Sequence, residues 1–108
     1  MEWSNRKTAK ALIGAGKGRV DEASWESFLS EINAAIVEAA AMGLPLVIDL
    51  AGIEYMSSRG LRVLTLAKRA ADAENVGLTL ARPNERMVEI LAISRYDRIF
   101  SVTKELEG

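Results

Sequence analysis

The feature that most constrains this chain is "LPLVIDL", residues Leu44 to Leu50, an apolar run with β-branched residues and no in–out alternation. A run of this kind, held between a helix stop and a turn, reads as a buried central strand. It is preceded by "VDEASWESFLSEINAAIVEAAAMG", in which Trp25, Phe28, Leu29, Ile32, Ile36 and Ala40 recur at i, i+3, i+4 spacing. That periodicity predicts an amphipathic helix, with Asp21 or Ser24 able to cap its start and Gly43 suited to the left-handed position after its end.

The rest of the chain repeats the alternation. "EWSNRK" and "AKALIGAGK" read as two short strands joined by a polar turn near Asn5 to Thr8, the second weakened by Gly14 and Gly16. "AGIEYM" continues as a loop or as a little more extended chain. From Ser58, Leu61, Leu64, Lys68 and Ala71 share one face and Val63, Leu66, Ala67 and Ala70 lie beside it, a wide apolar arc that predicts a largely buried helix. "VGLTLAR" follows as a strand, "NERMVEILAIS" as a short helix capped by Asn84, "RIFSV" as a last strand, and "TKELEG" as the start of a further helix. Pro45 opens a strand and Pro83 follows one. The order β-β-α-β-α-β-α-β implies right-handed crossovers and a mostly parallel sheet packed by helices, an α/β architecture. Sites in such sheets form at the C-terminal ends of strands.

No linker, repeat or low-complexity tract divides the 108 residues, so one domain over 1–108 is expected. At 49% hydrophobic residues the chain can bury a core. A formal net charge of -1 argues against a broad nucleic-acid surface. The absence of cysteine and histidine removes disulfides, thiolate chemistry, the commonest general base and the commonest metal ligand. No Asp/Glu cluster has metal-ligand spacing, and no cofactor is implied. The first ten residues contain no apolar signal-peptide segment, and apolar stretches are too short to span a bilayer, so a soluble cytoplasmic protein is expected; no long apolar stripe is left over after the core is assigned, so it is expected to be a monomer.

"EYMSSRGLRVL" places Ser57 and Ser58 between the central strand and the next helix. Three readings of the pair stand side by side. Either hydroxyl can serve as a helix N-cap. A nucleophile elbow, G-x-S-x-G, would need a glycine where Met56 stands and a histidine elsewhere, and with neither present Lys68 or Asp49 would have to act as base. A phosphorylation target is the third reading: a helix N-terminus tolerates a dianion, and Arg59 and Arg62 lie within one turn of it. A phosphate there would add about -1.5 to -2 charges to an exposed spot and spoil the docking of a partner without refolding the domain.

The stretch "LVIDLAGIEYMSSRGLRVL" resembles the STAS domain signature of anti-sigma-factor antagonists, through Asp49, Leu50, Ile53, Tyr55, Met56, Ser57, Ser58, Gly60 and Leu61. "GRVDEASW" is similar to the family's Gly-x-Leu-Asp element, and "ARPNERMVEILAISRYDRIFSV" to its tail. The resemblance implies a STAS-like mixed, mostly parallel sheet of four to five strands packed by three to four helices. It further implies that the unmodified protein binds a serine-kinase anti-sigma factor, that phosphorylation of Ser58, with Ser57 as second choice, breaks the complex, and that a PP2C-type phosphatase resets it. Asp21, Met56, Ser57, Ser58, Arg59 and Arg62 are the expected partner-facing residues, and the domain is expected to be a substrate and ligand, not an enzyme. The alternative is a non-switching STAS subunit of a transporter, such as a lipid-transport ABC system, or of a stressosome-like assembly. Arg59 departs from the family's usual Ser or Ala, and the glycines of "IGAGKG" stand where relatives carry alternating apolar residues.

The same glycines do not match the phosphate-loop pattern, because Lys17 is followed by Gly18 and no glycine lies five residues before Gly16; a flexible strand or bulge is the expectation, with nucleotide binding kept as the lesser alternative. Trp25 and Phe28 are expected in the core, as are Met42, Met56 and Met87, with Met56 also placed to face a partner. Trp3 is left as either a sheet-edge packer or an exposed contact. Lys68, Arg69, Asp72 and Glu74 read as a solvated helix face.

Overall fold

The computed structural model describes residues 1–106. Five strands form one sheet: β1 (Glu2–Lys7), β2 (Leu12–Val20), β3 (Leu46–Met56), β4 (Leu78–Ala81) and β5 (Ser101–Thr103). They lie side by side in chain order, β1 antiparallel to β2 and every later neighbour parallel. Three helices, α1 (Trp25–Met42), α2 (Ser58–Ala73) and α3 (Glu85–Ile93), make the parallel crossovers, and a short 3-10 turn, Tyr96–Arg98, precedes β5. The expected mixed, mostly parallel α/β sheet is therefore the fold.

The helix signals translate directly. Phe28, Ile32, Ala35, Ile36 and Ala39 form the buried stripe of α1, and Gly43 ends it at φ 68°, donating its N–H to the carbonyls of Ala39 and Ala40. The Asn84 side chain accepts the Met87 N–H at 2.8 Å and so caps α3. The main core lies between these helices and one sheet face, with Leu12, Leu46, Ile48, Leu50, Ile53 and Leu80 contributed by strands. The other face carries a small second cluster of Ala11, Ile13, Val47 and Ala81, with Leu106 packed against it.

Several boundaries differ from the sequence reading. The turn between β1 and β2 falls after Lys7, not at Asn5, and is closed by Thr8, whose hydroxyl accepts the N–H groups of Lys10 and Ala11. β3 starts at Leu46 and does not stop at Leu50: "AGIEYM" is strand, not loop. Its register against β2 slips twice, between Ala15 and Lys17 and between Gly18 and Arg19, and each slip places an extra residue in β3. These bulges hid the strand by breaking the period-2 pattern. Gly52 sits at the first of them, where a Cβ would come 2.8 Å from the Gly16 carbonyl oxygen.

β2 is a full nine-residue strand despite its glycines. They make room: a Cβ on Gly14 would lie 2.3 Å from the Trp3 indole, and one on Gly16 would lie 2.9 Å from Ile53 Cδ1. Trp3 is thus a sheet-edge packer, edge-on to Phe28 with ring centroids 6.1 Å apart. Met87 and Met56 are core residues, whereas Met42 at the end of α1 is 38% exposed. "RIFSV" is only partly strand, since Arg98 closes the 3-10 turn and β5 starts at Ser101. Residues 104–106 are not helical, and the rest of the expected terminal helix lies outside the described residues.

Candidate functional site

Parallel pairing of β2 and β3 brings Val20 opposite Met56, so the segments that leave the two strands emerge side by side. The Ser57 N–H donates to the Val20 carbonyl at 2.9 Å, which extends the ladder to the mouth of α2. Ser57 then turns the chain: its backbone is extended (φ -76°, ψ 176°), and its hydroxyl accepts the Gly60 N–H at 3.4 Å. Ser57 is therefore the cap of α2.

Ser58 is the first helical residue, is exposed, and takes no part in that cap. The two hydroxyls, equivalent on paper, have different surroundings. Their placement depends on Gly60, which is buried: a Cβ there would meet Val20 Cγ1 at 2.9 Å and Met56 Cβ at 3.1 Å. Glycine lets the first turn of α2 lie directly on the strand ends, where any larger residue would hold it off.

Asp21 reaches the same edge from the turn after β2. Its carboxylate accepts the Ala23 N–H at 3.0 Å and lies 3.9 Å from Arg19 Nε. The Ser24 hydroxyl accepts the Asp21 N–H at 3.1 Å and donates to the Arg19 carbonyl at 2.7 Å, so neither candidate cap bonds a helical N–H of α1; both shape the turn before it.

Arg59 leans across to this turn. Its Nε is 3.6 Å from Glu22 Oε2, and its guanidinium lies 5.1 Å from the centroid of the Trp25 ring. Trp25, Arg59, Arg62, Val63 and Leu66 enclose a notch of about 50 Å³ between α1 and α2. Asp21, Ser57, Ser58, Arg59 and Arg62 thus come together at one end of the molecule. Met56 does not present itself there. It is 2% exposed, because its position on β3 points it into the core beneath Gly60, and it is withdrawn from the partner-facing set.

Sequence reasoning missed three neighbours of this edge. Glu22 was read only as part of the helix approach, and Arg19 and Arg86 were not singled out. Both of these guanidinium groups lie over Tyr55, at 4.7 and 5.5 Å from the ring centroid. The parallel register of β2 on β3 was the signal that could have found Arg19, since Arg19 pairs with Tyr55.

The residues once considered as bases are engaged elsewhere. Asp49 is 6% exposed and held by Arg82, Nη2 to Oδ2 at 2.6 Å and Nε to Oδ1 at 3.2 Å, and also accepts the Ala51 N–H at 3.0 Å. The hydrogen bond and the charge of Asp49 raise the Arg82 pKa above its ordinary value. Lys68 faces Asp72 at 3.4 Å on the solvated side of α2. Gly14, Gly16 and Gly18 lie inside β2, which no phosphate loop does. Among the described residues no group of three or more acidic side chains is placed to hold a metal, and no helix is long and apolar enough to cross a membrane.

A family model described as "Mlab, STAS domain" matches residues 15–104. A STAS-domain containing protein of Pseudomonas aeruginosa (strain UCBPP-PA14) is 33% identical over 57 residues, which span 53% of this chain and 56% of that relative, a little over half of each. Among solved structures, the fold is similar to that of an anti-sigma factor antagonist from Mycobacterium paratuberculosis, with TM-score 0.84 and 18% identity over 97% of this chain and 86% of that one. It is also similar to the Bacillus cell fate determinant SpoIIAA in its phosphorylated form, with TM-score 0.63 and 18% identity over 96% of this chain and 93% of that one. At such identities the likeness speaks for the fold. Taken with the match that runs from the middle of β2 past β5, it leads to one conclusion: the chain belongs to the STAS domain family.

Proposed function

We propose that this STAS domain is an anti-sigma-factor antagonist that works as a phosphorylation-controlled partner switch. Unmodified, it binds a serine-kinase anti-sigma factor through the edge that carries Asp21, Ser57, Ser58, Arg59 and Arg62, and so frees a sigma factor in the bacterial cytoplasm. The kinase transfers the γ-phosphoryl group of ATP to the Ser58 oxygen; ADP leaves, and the hydroxyl proton passes to a base on the kinase. The complex then dissociates, and a PP2C-type phosphatase returns the serine by hydrolysis. The domain itself is a monomeric substrate and ligand that needs no cofactor.

The observation that carries this reading is the division of labour between the serines. Ser57 is occupied as the cap, and Ser58 stands exposed one residue on. A phosphate on Ser58 would sit where α2 offers unpaired N–H groups, which tolerate negative charge, so the fold survives while a flush partner meets an uncompensated dianion. That SpoIIAA has been solved phosphorylated lends support by analogy.

The test uses the cognate kinase and ATP. Intact-mass measurement should find one added phosphoryl group, absent from the Ser58→Ala chain. Ser58→Asp should weaken kinase binding by about 1.4 kcal/mol or more, a tenfold loss. Unchanged binding of Ser58→Asp, or labelling that persists in Ser58→Ala, refutes the assignment.

A second reading is kept because the matching family model is described by the name Mlab and not as an antagonist. In it the domain is a permanent subunit of a transporter or stressosome-like assembly and the serines only shape the helix start. Co-purification with such subunits, indifferent to substitution of Ser58, would favour it.

A further inference from the structure

We propose that Arg59 is a charge-sensing latch, which joins α2 to the turn before α1 while Ser58 is unmodified and lets go when Ser58 carries a phosphate. The proposal rests on the reading of Ser58 as the modified residue and adds a route by which that charge is felt away from the serine itself. Three observations carry it. Arg59 is the next residue after Ser58, and its guanidinium is parked on Glu22 at 3.6 Å and over the Trp25 ring at 5.1 Å. This contact is the one ion pair between α2 and the β2–α1 turn among the described residues. Both of its side chains are well exposed, 52% for Arg59 and 72% for Glu22.

An exposed ion pair of this kind is weak and easily exchanged. A phosphoserine tethered one residue away presents nearly twice the negative charge of Glu22 and three acceptor oxygens, and guanidinium groups favour such oxyanions. The new charge acts on both partners at once, since it attracts Arg59 and repels Glu22. Arg62, four residues on from Ser58 and thus on its side of the helix, makes no ion pair with Glu22 in the unmodified chain and offers a second cation to the same phosphate.

When Arg59 turns away, three changes follow at the neighbouring turn. The Trp25 ring loses the cation over its face, the wall of the notch between α1 and α2 opens, and Glu22, the neighbour of Asp21, is left unpaired. Phosphorylation then alters the docking edge in two places, at Ser58 by added charge and at the Asp21–Trp25 segment by a lost tie. With serine or alanine at position 59 the charge would still be added at Ser58, but the second change would have no side chain to carry it.

The test compares the unmodified chain with one that carries phosphoserine at position 58 by translational incorporation, so that no kinase is needed. Nitrogen–proton correlation NMR reads the Arg59 Nε–H and the indole N–H of Trp25, with the Trp3 indole as internal reference. The expected result is that Arg59 and Trp25 both shift on phosphorylation while Trp3 stays. In Arg59→Gln most of the Trp25 shift should vanish, and in the unmodified Glu22→Gln chain the Trp25 signal should already lie toward its phosphorylated position. An unmoved Arg59 signal, or a Trp25 shift that is the same size in Arg59→Gln, overturns the latch. A kinase that never modifies Ser58 would refute the functional reading and leave this measurement standing; modification by the kinase with an unmoved Arg59 would refute the latch alone.

Discussion

Replacing Gly14 by Ala should destabilise the domain through one contact, and a double-mutant cycle can show it. Gly14 is buried in the middle of β2, and its missing Cβ is the floor on which the Trp3 indole lies. A methyl group would overlap Trp3 Cζ2 at 2.3 Å and Cη2 at 2.9 Å. An overlap that deep must be relieved by lifting the indole from Phe28 or by spreading β1 from β2. Truncating a fully buried aromatic residue costs about 3–5 kcal/mol, so unseating a half-buried one should cost about 2 kcal/mol. Against this, Ala stiffens a strand interior relative to Gly by about 0.5 kcal/mol. The single variant should thus lose about 1.5 kcal/mol, and Trp3→Ala alone about 2 kcal/mol. In the Trp3→Ala background the three atoms nearest the methyl group are gone, and Gly14→Ala should become stabilising by about 0.5 kcal/mol. The double variant should therefore sit about 1.5 kcal/mol below the natural chain, not the roughly 3.5 kcal/mol of simple addition, a coupling of about 2 kcal/mol. Urea unfolding at constant slope gives all four values, and red-shifted tryptophan emission should accompany the Gly14→Ala loss. If the two costs add to within about 0.5 kcal/mol, the indole is not what makes glycine necessary at this position.

Two further outcomes are expected. Ser57→Ala should remove the cap of α2 and cost about 0.5–1 kcal/mol, at the low end of the usual range because the 3.4 Å bond is long, while leaving Ser58 available to the kinase; urea unfolding and intact-mass labelling check the two halves. Arg82→Leu should lower the urea midpoint markedly, because it leaves the buried Asp49 carboxylate with only the Ala51 N–H. The Arg82 pKa is raised in the folded chain, so its contribution is fully present below the ordinary arginine value and lost only as pH rises through the higher folded one. The difference between the natural and Arg82→Leu chains should accordingly stay flat from roughly pH 6 to 9, and a difference that fades over that interval would contradict the pairing.

What could be read from the chain, and what could not, follows from the range of each interaction. The stripe of α1 and the Asn84 cap are local, set by residues three or four apart, and they stand where periodicity put them. The same holds for the helix that begins at the serines. β3 was under-read because its second half is shaped by bulges against β2, and a bulge is a property of two strands. The glycines of β2 looked like a weakness for the same reason: their explanation, Trp3, lies on another strand. At the site, the serine pair was legible but its division was not, since either hydroxyl satisfies the pattern of a cap. The partners of Arg59, Glu22 and Trp25, lie more than thirty positions away in the sequence and on a different element. No spacing rule reaches that far. The placing of Met56 at the partner edge has the opposite cause, because nearness in sequence to Ser58 was taken for nearness to solvent, while the second bulge of β3 lets Ile53 and Met56, three residues apart, both face the core.

The geometry at the mouth of α2 separates holding the fold from offering a charge site. The hydrogen bonds that fix the entry of the helix belong to Ser57 or to the backbone: the Ser57 N–H donates to the Val20 carbonyl, the Ser57 hydroxyl accepts the Gly60 N–H, and the Ser57 carbonyl accepts the Leu61 N–H. Gly60 sets how closely the turn approaches the strands, and Val20 and Met56 beneath it are core. Ser58 projects from this frame without being one of its members. A group added to its oxygen removes none of those bonds, and the partial positive charge at a helix start offsets part of the new negative one. A free-energy change concentrated at the surface in this way acts on association far more than on folding. Were the roles of the two serines exchanged, a phosphate on the proposed switch residue would also strip the cap from α2, and binding and folding would be coupled. On the proposed reading, their separation is what would let the domain be switched without being unfolded.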